Sequence, residues 1–151
     1  MDPTGNTAGG APPISRILVA TDFSPQARRA LEWARRLADA FGAKLVLLHV
    51  IDIFSLAEIG CVMSGNDPLH LLREQAHRCM GEWRALVPDA ETVVREASPR
   101  PVIVDAALEL HCQMIVMGTH GRSGLAHLLL GSVAEYVVRN SKVPVLAVRA
   151  G

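Results

Sequence analysis

The sequence predicts a single α/β domain built on an open five-stranded parallel sheet with helices on both faces. Two observations carry this. Short apolar runs alternate strictly with amphipathic helical patterns along the 151-residue chain, the signature of a parallel sheet with right-handed crossovers. The apolar runs are continuous rather than alternating, as in strands buried on both faces. A third observation bears on strand order. Two strand ends carry unusual residues, Thr21-Asp22 after the first and Gly118 after the fourth. If those strands are neighbours the order is 3-2-1-4-5, and the winding reverses between them, where open sheets of this kind bind ligands.

Residues 1–13 are rich in Gly, Pro, Ala and Thr and read as a disordered tail, native or added by cloning, with the folded domain over 14–151. Arg16 to Thr21 is the first strand. Ser24-Pro25 follows as an N-cap with proline at the first helical position, where its missing N–H costs nothing. Ala27, Ala30, Leu31, Ala34, Leu37, Ala38 and Phe41 then fall on one helix face, and Gly42 stops the helix. Lys44 to Val50 is the second strand. Asp52 to Asp67, with Gly60, Gly65 and Asn66, has weak periodicity and reads as a long mobile connection.

Pro68 to about Leu86 is the second helix, its inner face Leu69, Leu72, Ala76, Cys79, Met80 and Trp83. Thr92 to Val94 is a short third strand, and Pro101 to about Leu110 a third helix. Met114 to Met117 is the fourth strand. Ser132 opens a helix to about Asn140, as its N-cap, and Val143 to Val148 closes the chain as a fifth strand. Pro144 near its start favours a sheet edge.

Composition excludes several partners. Half the residues are hydrophobic and 4% aromatic, so the core is aliphatic. Fifteen basic residues balance fifteen acidic ones, without the basic surplus expected of a nucleic-acid partner or of binding to an anionic membrane. No apolar run reaches the length of a membrane span. Cys61, Cys79 and Cys112 are odd in number and form no CxxC pair, which fits a cytoplasmic protein.

The glycines after the fourth strand carry the chemistry. Two residues separate Gly118 from Gly121 and nine separate Gly121 from Gly131, which Ser132 follows. A strand end, a glycine loop and a helix start together can cradle a phosphate on backbone N–H groups; an ordinary glycine-rich connection has the same pattern. Asp22, an acceptor-only carboxylate at a strand end, suits ribose hydroxyls or the cap of the following helix. Arg122 is either a phosphate partner or a solvated loop residue. His120 beside phosphates suggests acid–base chemistry, but no second titrating residue is placed beside it. His70 and His77 share one side of a helix with too few ligands for a metal. Gly121-Arg122-Ser123-Gly124 is not a nucleophile elbow, and no P-loop motif is present.

Three blocks, Ile17-Leu18-Val19-Ala20-Thr21-Asp22-Phe23-Ser24, Leu47-Leu48-His49-Val50, and Ile115-Val116-Met117-Gly118-Thr119-His120-Gly121 with Gly131-Ser132-Val133, resemble the universal stress protein A family from Ile17 to Val148. The last matches its G-x2-G-x9-G-[S/T] element. The resemblance implies a Rossmann-like, adenine nucleotide alpha hydrolase-like fold, the ATP-binding branch, and a homodimer through the last strand, Val143–Val148. It places adenine and ribose contacts on Ala20, Asp22 and Val50, the last through its backbone. Phosphate contacts fall on Gly118, Gly121, Arg122, Gly131, Ser132 and Val133, and Thr21, Met117, His120 and Gly124 complete the candidate set. Ala20 stands where ATP-binding relatives often have proline. Ala134 stands where several have a hydroxyl, the loss of one hydrogen bond worth about 1 kcal/mol.

The function expected from this is regulatory binding of ATP, or of ADP or AMP, with Mg²⁺ held by phosphates and water. The alternatives are a slow ATP hydrolase or phosphoryl-transfer enzyme, and a nucleotide-free dimeric scaffold.

Overall fold

The computed structural model describes residues 10–58, 67–120 and 130–149. Strands β1 (Arg16–Ala20), β2 (Lys44–Asp52), β3 (Glu91–Ala97), β4 (Met114–Gly118) and β5 (Val145–Val148) form one parallel sheet in the order β3-β2-β1-β4-β5. Helices α1 (Pro25–Phe41), α2 (Ile53–Glu58), α3 (Pro68–Leu86), α4 (Pro99–Glu109) and α5 (Ser132–Asn140) connect them. The strand order is the one expected with the first and fourth strands as neighbours.

Alternation along each strand splits the core into two layers. Ile17, Val19, Leu45, Leu47 and Val116 face α1 and α3, where Ala30, Leu31, Ala34, Met80 and Trp83 pack. Leu18, Val46, Leu48, Ile115 and Met117 face α4 and α5, against Ile103, Ala106, Ala107, Ala134 and Val137. The side of α1 against the sheet is mostly alanine, which lets the helix lie close to the strands.

The amino end of the sheet is sealed. Gln113 Oε1 accepts the N–H of Ser15 at 3.0 Å and of Arg16 at 2.9 Å, and the Arg16 guanidinium reaches Glu91 at 2.6 Å. The carboxyl end is left open.

Several boundaries differ from those read from the sequence. α2 lies inside the stretch expected to be a long connection, because the Asp52 carboxylate caps it, accepting the N–H of Phe54 at 3.1 Å and of Ser55 at 3.3 Å. β3 is longer than Thr92–Val94. Its charged end residues turn to opposite faces of this edge strand into ion pairs, Arg95 with Glu109 of α4 at 2.6 Å and Glu96 with Arg73 of α3. α4 starts at Pro99, since Pro99 and Pro101 both sit in a first turn that needs no N–H from either. β5 starts at Val145 at the sheet edge; the carbonyl of Pro144 just before it accepts from Ile115 N–H at 2.9 Å.

Candidate functional site

Unequal strand lengths shape the open end. β1 pairs with β2 up to Ala20↔Leu48, and the last rung is Thr21 N–H to Leu48 C=O at 2.9 Å. β2 runs on through His49 to Asp52, still paired with β3. Successive residues of a strand turn their peptide groups to opposite edges. Leu48 faces β1, so Val50 turns its N–H and C=O the same way, past the point where β1 has ended. A donor and an acceptor in fixed order therefore overlook the cleft.

After β1 the chain makes a tightly held turn. Thr21 Oγ1 accepts Phe23 N–H at 2.9 Å, and Asp22 Oδ1 accepts Ser24 N–H at 3.0 Å. Ser24 caps α1, accepting Ala27 N–H at 3.1 Å. The capping alternative for Asp22 is thus partly realised, through the residue that is itself the cap. Phe23 sits in the left-handed region at φ 64°, which is uncommon for a bulky residue. Its ring lies 4.3 Å from that of His49 and 5.6 Å, edge-on, from that of Trp83. His49 Nδ1 meets the Thr21 carbonyl at 2.8 Å; a carbonyl only accepts, so Nδ1 carries the proton.

On the other side of the crest, Gly118 ends β4. A Cβ there would come to 3.4 Å from the α1 backbone at Gln26, so a small residue lets helix and strand end meet closely. Thr119 bonds through its N–H to Val148 C=O at 2.9 Å, and its own carbonyl receives Gly131 N–H at 2.7 Å. Thr119 Oγ1 and His120 Nδ1 are 3.0 Å apart. Gly131 rather than Ser132 is the N-cap of α5. Ser132 occupies the first helical position, because the extended conformation of a cap falls on the glycine that is tied to Thr119. The N–H groups of the first turn, at the positive end of the helix, face this cleft.

These elements enclose one cavity of about 740 Å³, within the range of small-molecule sites. Ala20, Thr21, Asp22, Val50, Met117, Gly118, His120, Gly131, Ser132 and Val133 all line it. Gly121, Arg122 and Gly124 lie outside the described residues. Ala134 also lines the cavity but is buried against the α4–α5 layer. Beyond Val50 the walls are Leu72, Gln75 and Ala76 of α3 and Pro99 and Ile103 of α4, an apolar slot with one amide on its rim.

Sequence reasoning missed His49, Phe23 and Gln75. His49 is marked in the sequence only as a polar residue within an otherwise apolar run. Nothing local marks Phe23 or Gln75. Among the described residues no helix is long and apolar enough to cross a membrane, and no group of three or more His, Cys, Asp or Glu could hold a metal ion. His70 and Glu74 approach to 3.9 Å on an exposed helix face.

Comparison with known proteins gives a consistent result. The model of the Universal stress protein family matches residues 13–149. Universal stress protein MJ0577 of Methanocaldococcus jannaschii is 33% identical over 152 residues, covering 89% of this chain and 94% of that protein. The solved structure of MJ0577 superposes with a TM-score of 0.82 at 30% identity, covering 93% of this chain and 99% of that one. A universal stress protein solved in complex with cAMP has a TM-score of 0.59 at 30% identity, covering 91% of this chain and 98% of the other.

Proposed function

The chain belongs to the universal stress protein family, and from that premise we propose that it is a regulatory stress-response protein that binds an adenine nucleotide across the crest of its sheet. The phosphates lie between Gly118 and the first turn of α5, at Gly131, Ser132 and Val133. The ribose lies against Asp22, and the base lies at Val50 between the α3 and α4 walls.

One observation carries this: the fixed N–H and C=O of Val50 at the end of the cavity away from α5. Adenine sets an amino donor beside a ring-nitrogen acceptor, which complements that pair. Hypoxanthine and guanine set a carbonyl acceptor beside an N–H donor, in the reverse order. A side-chain amide can flip to suit either; a strand backbone cannot. The cAMP complex of a relative at 30% identity supports the same ligand class.

We extend the proposal to ATP with Mg²⁺, the ion held by phosphate oxygens and water. Gly121, Arg122 and Gly124 complete the phosphate cradle. The exposed edge of β5 pairs two copies into a homodimer through Val143–Val148, and the protein works in the cytoplasm. His120, with Thr119 Oγ1 at 3.0 Å from its Nδ1, is the imidazole that lines the phosphate end, and the function proposed is binding rather than turnover.

The test is thermal unfolding with AMP, ADP, ATP and IMP. An adenine nucleotide at a hundred times its Kd adds about 2.7 kcal/mol of stability, and IMP at the same concentration adds little. No shift with any adenine nucleotide at millimolar concentration rejects the proposal.

A further inference from the structure

The turn between β1 and α1 is held in a conformation that its own residues do not favour. Phe23 at φ 64° is in the left-handed region, which a residue with a Cβ adopts only under constraint. Rotation about that bond swings Asp22 relative to α1. Within the turn, Thr21 Oγ1 and Asp22 Oδ1 brace the N–H groups of Phe23 and Ser24. From outside, His49 fixes it twice, by Nδ1–H on the Thr21 carbonyl at 2.8 Å and by its ring against Phe23 at 4.3 Å.

His49 stands on β2 where the strand has outrun β1. A carbonyl that would otherwise meet a neighbouring strand meets an imidazole instead. The side chain thus continues the ladder by one rung, beside the residue assigned to the ribose.

We propose that His49 is a positioning residue for the sugar: its Nδ1–H holds the Thr21 carbonyl so that the Asp22 carboxylate is aimed at a ribose hydroxyl. This rests on the assignment of Asp22 to the ribose and goes beyond it. Discrimination between ribose and 2′-deoxyribose is set by a side chain that need not touch the sugar. A histidine that only fills space would affect every nucleotide alike.

Two variants separate those roles. His49→Phe keeps a ring against Phe23 and removes the N–H. His49→Asn removes much of the ring and keeps an N–H donor near the place of Nδ1. Affinities for AMP and 2′-deoxy-AMP are measured by calorimetry for each. The wild type prefers AMP by about tenfold, the worth of one hydrogen bond to a charged group. In His49→Phe the preference falls to about twofold or less with 2′-deoxy-AMP affinity nearly unchanged, and in His49→Asn it persists.

A preference that survives His49→Phe, a parallel loss of both ligands in the variants, or a wild-type preference near one overturns the proposal. A wild type that binds neither nucleotide rejects nucleotide binding itself, a separate result. Should His49→Phe fail to fold, exchange of the His49 Nδ1 proton in the wild type decides the matter. Its protection rises more with AMP than with 2′-deoxy-AMP, and equal protection overturns the proposal.

Discussion

Gly131 donates its N–H to the carbonyl of Thr119 at 2.7 Å, tying the cap of α5 to the end of β4. A Cβ built on Gly131 would stand 3.1 Å from that oxygen and 3.6 Å from His120 Cα. Both are backbone atoms that cannot rotate away. Gly131→Val therefore pushes the start of α5 off the strand end. The free protein still unfolds cooperatively, weakened by about 1–3 kcal/mol as for other overpacked sites, and the nucleotide-induced thermal shift disappears. A full shift in the variant contradicts the placement of phosphate there.

Ser24 caps α1 with one hydroxyl and presents its N–H to Asp22. Ser24→Ala removes only the hydroxyl, at a cost of about 1 kcal/mol. Urea unfolding should show a lower midpoint with an unchanged slope. Affinity for AMP stays close to wild type, since the backbone bond to Asp22 is retained.

Arg73 on α3 grips Glu96 at the end of β3 through Nε at 2.5 Å and Nη2 at 2.9 Å. That hydrogen bonding holds the Glu96 carboxyl below the usual carboxylate range. A carboxyl lowered by folding contributes its stability above the ordinary range, and loses it as the pH falls through its lowered value. Wild type and Glu96→Gln should differ in urea midpoint near neutral pH and converge in acid. The pair is exposed, so the gap is small and shrinks with salt. A gap that widens on acidification would refute the assignment.

Burial pushes the Cys112 thiol up from its ordinary value, with the nearby Arg16 opposing in part. Cys79 is only half-buried. Since the thiolate is the reactive form, iodoacetamide should label Cys79 well before Cys112 in the folded protein, with the difference erased in denaturant. Peptide mass spectrometry gives the order, and prior labelling of Cys112 would show that its side of the sheet opens readily.

Much of this architecture was legible because its signals are local. Ser24-Pro25 and Gly42 bound α1 where cap chemistry put them; the unbroken apolar strands pointed to a parallel sheet, and the unusual ends of the first and fourth strands pointed to their adjacency. Where local signals were weak, the boundaries slipped. Asp52 before Ile53 and Phe54 is itself a cap, yet six residues without a clear apolar stripe hid α2. Arg95 and Glu96 fell outside the third strand as read because an edge strand can carry charges that pair with helices on either face of the sheet.

For the site, the glycine spacing and Asp22 pointed to one end of one crevice. His49, Phe23 and Gln75 acquire meaning only when β2 and α3 are folded against β1. Long-range adjacency of this sort leaves no spacing to read.

The overhang of β2 beyond β1 has an evolutionary corollary. On the proposed placement of the base at Val50, a recognition pair made of peptide groups tolerates almost any exchange of the side chain that carries it. It is fragile to a change of length, because inserting or deleting a single residue before Val50 turns that pair toward β3 instead. On that placement, the identity of the side chain at Val50 matters less than the number of residues that β2 extends past β1.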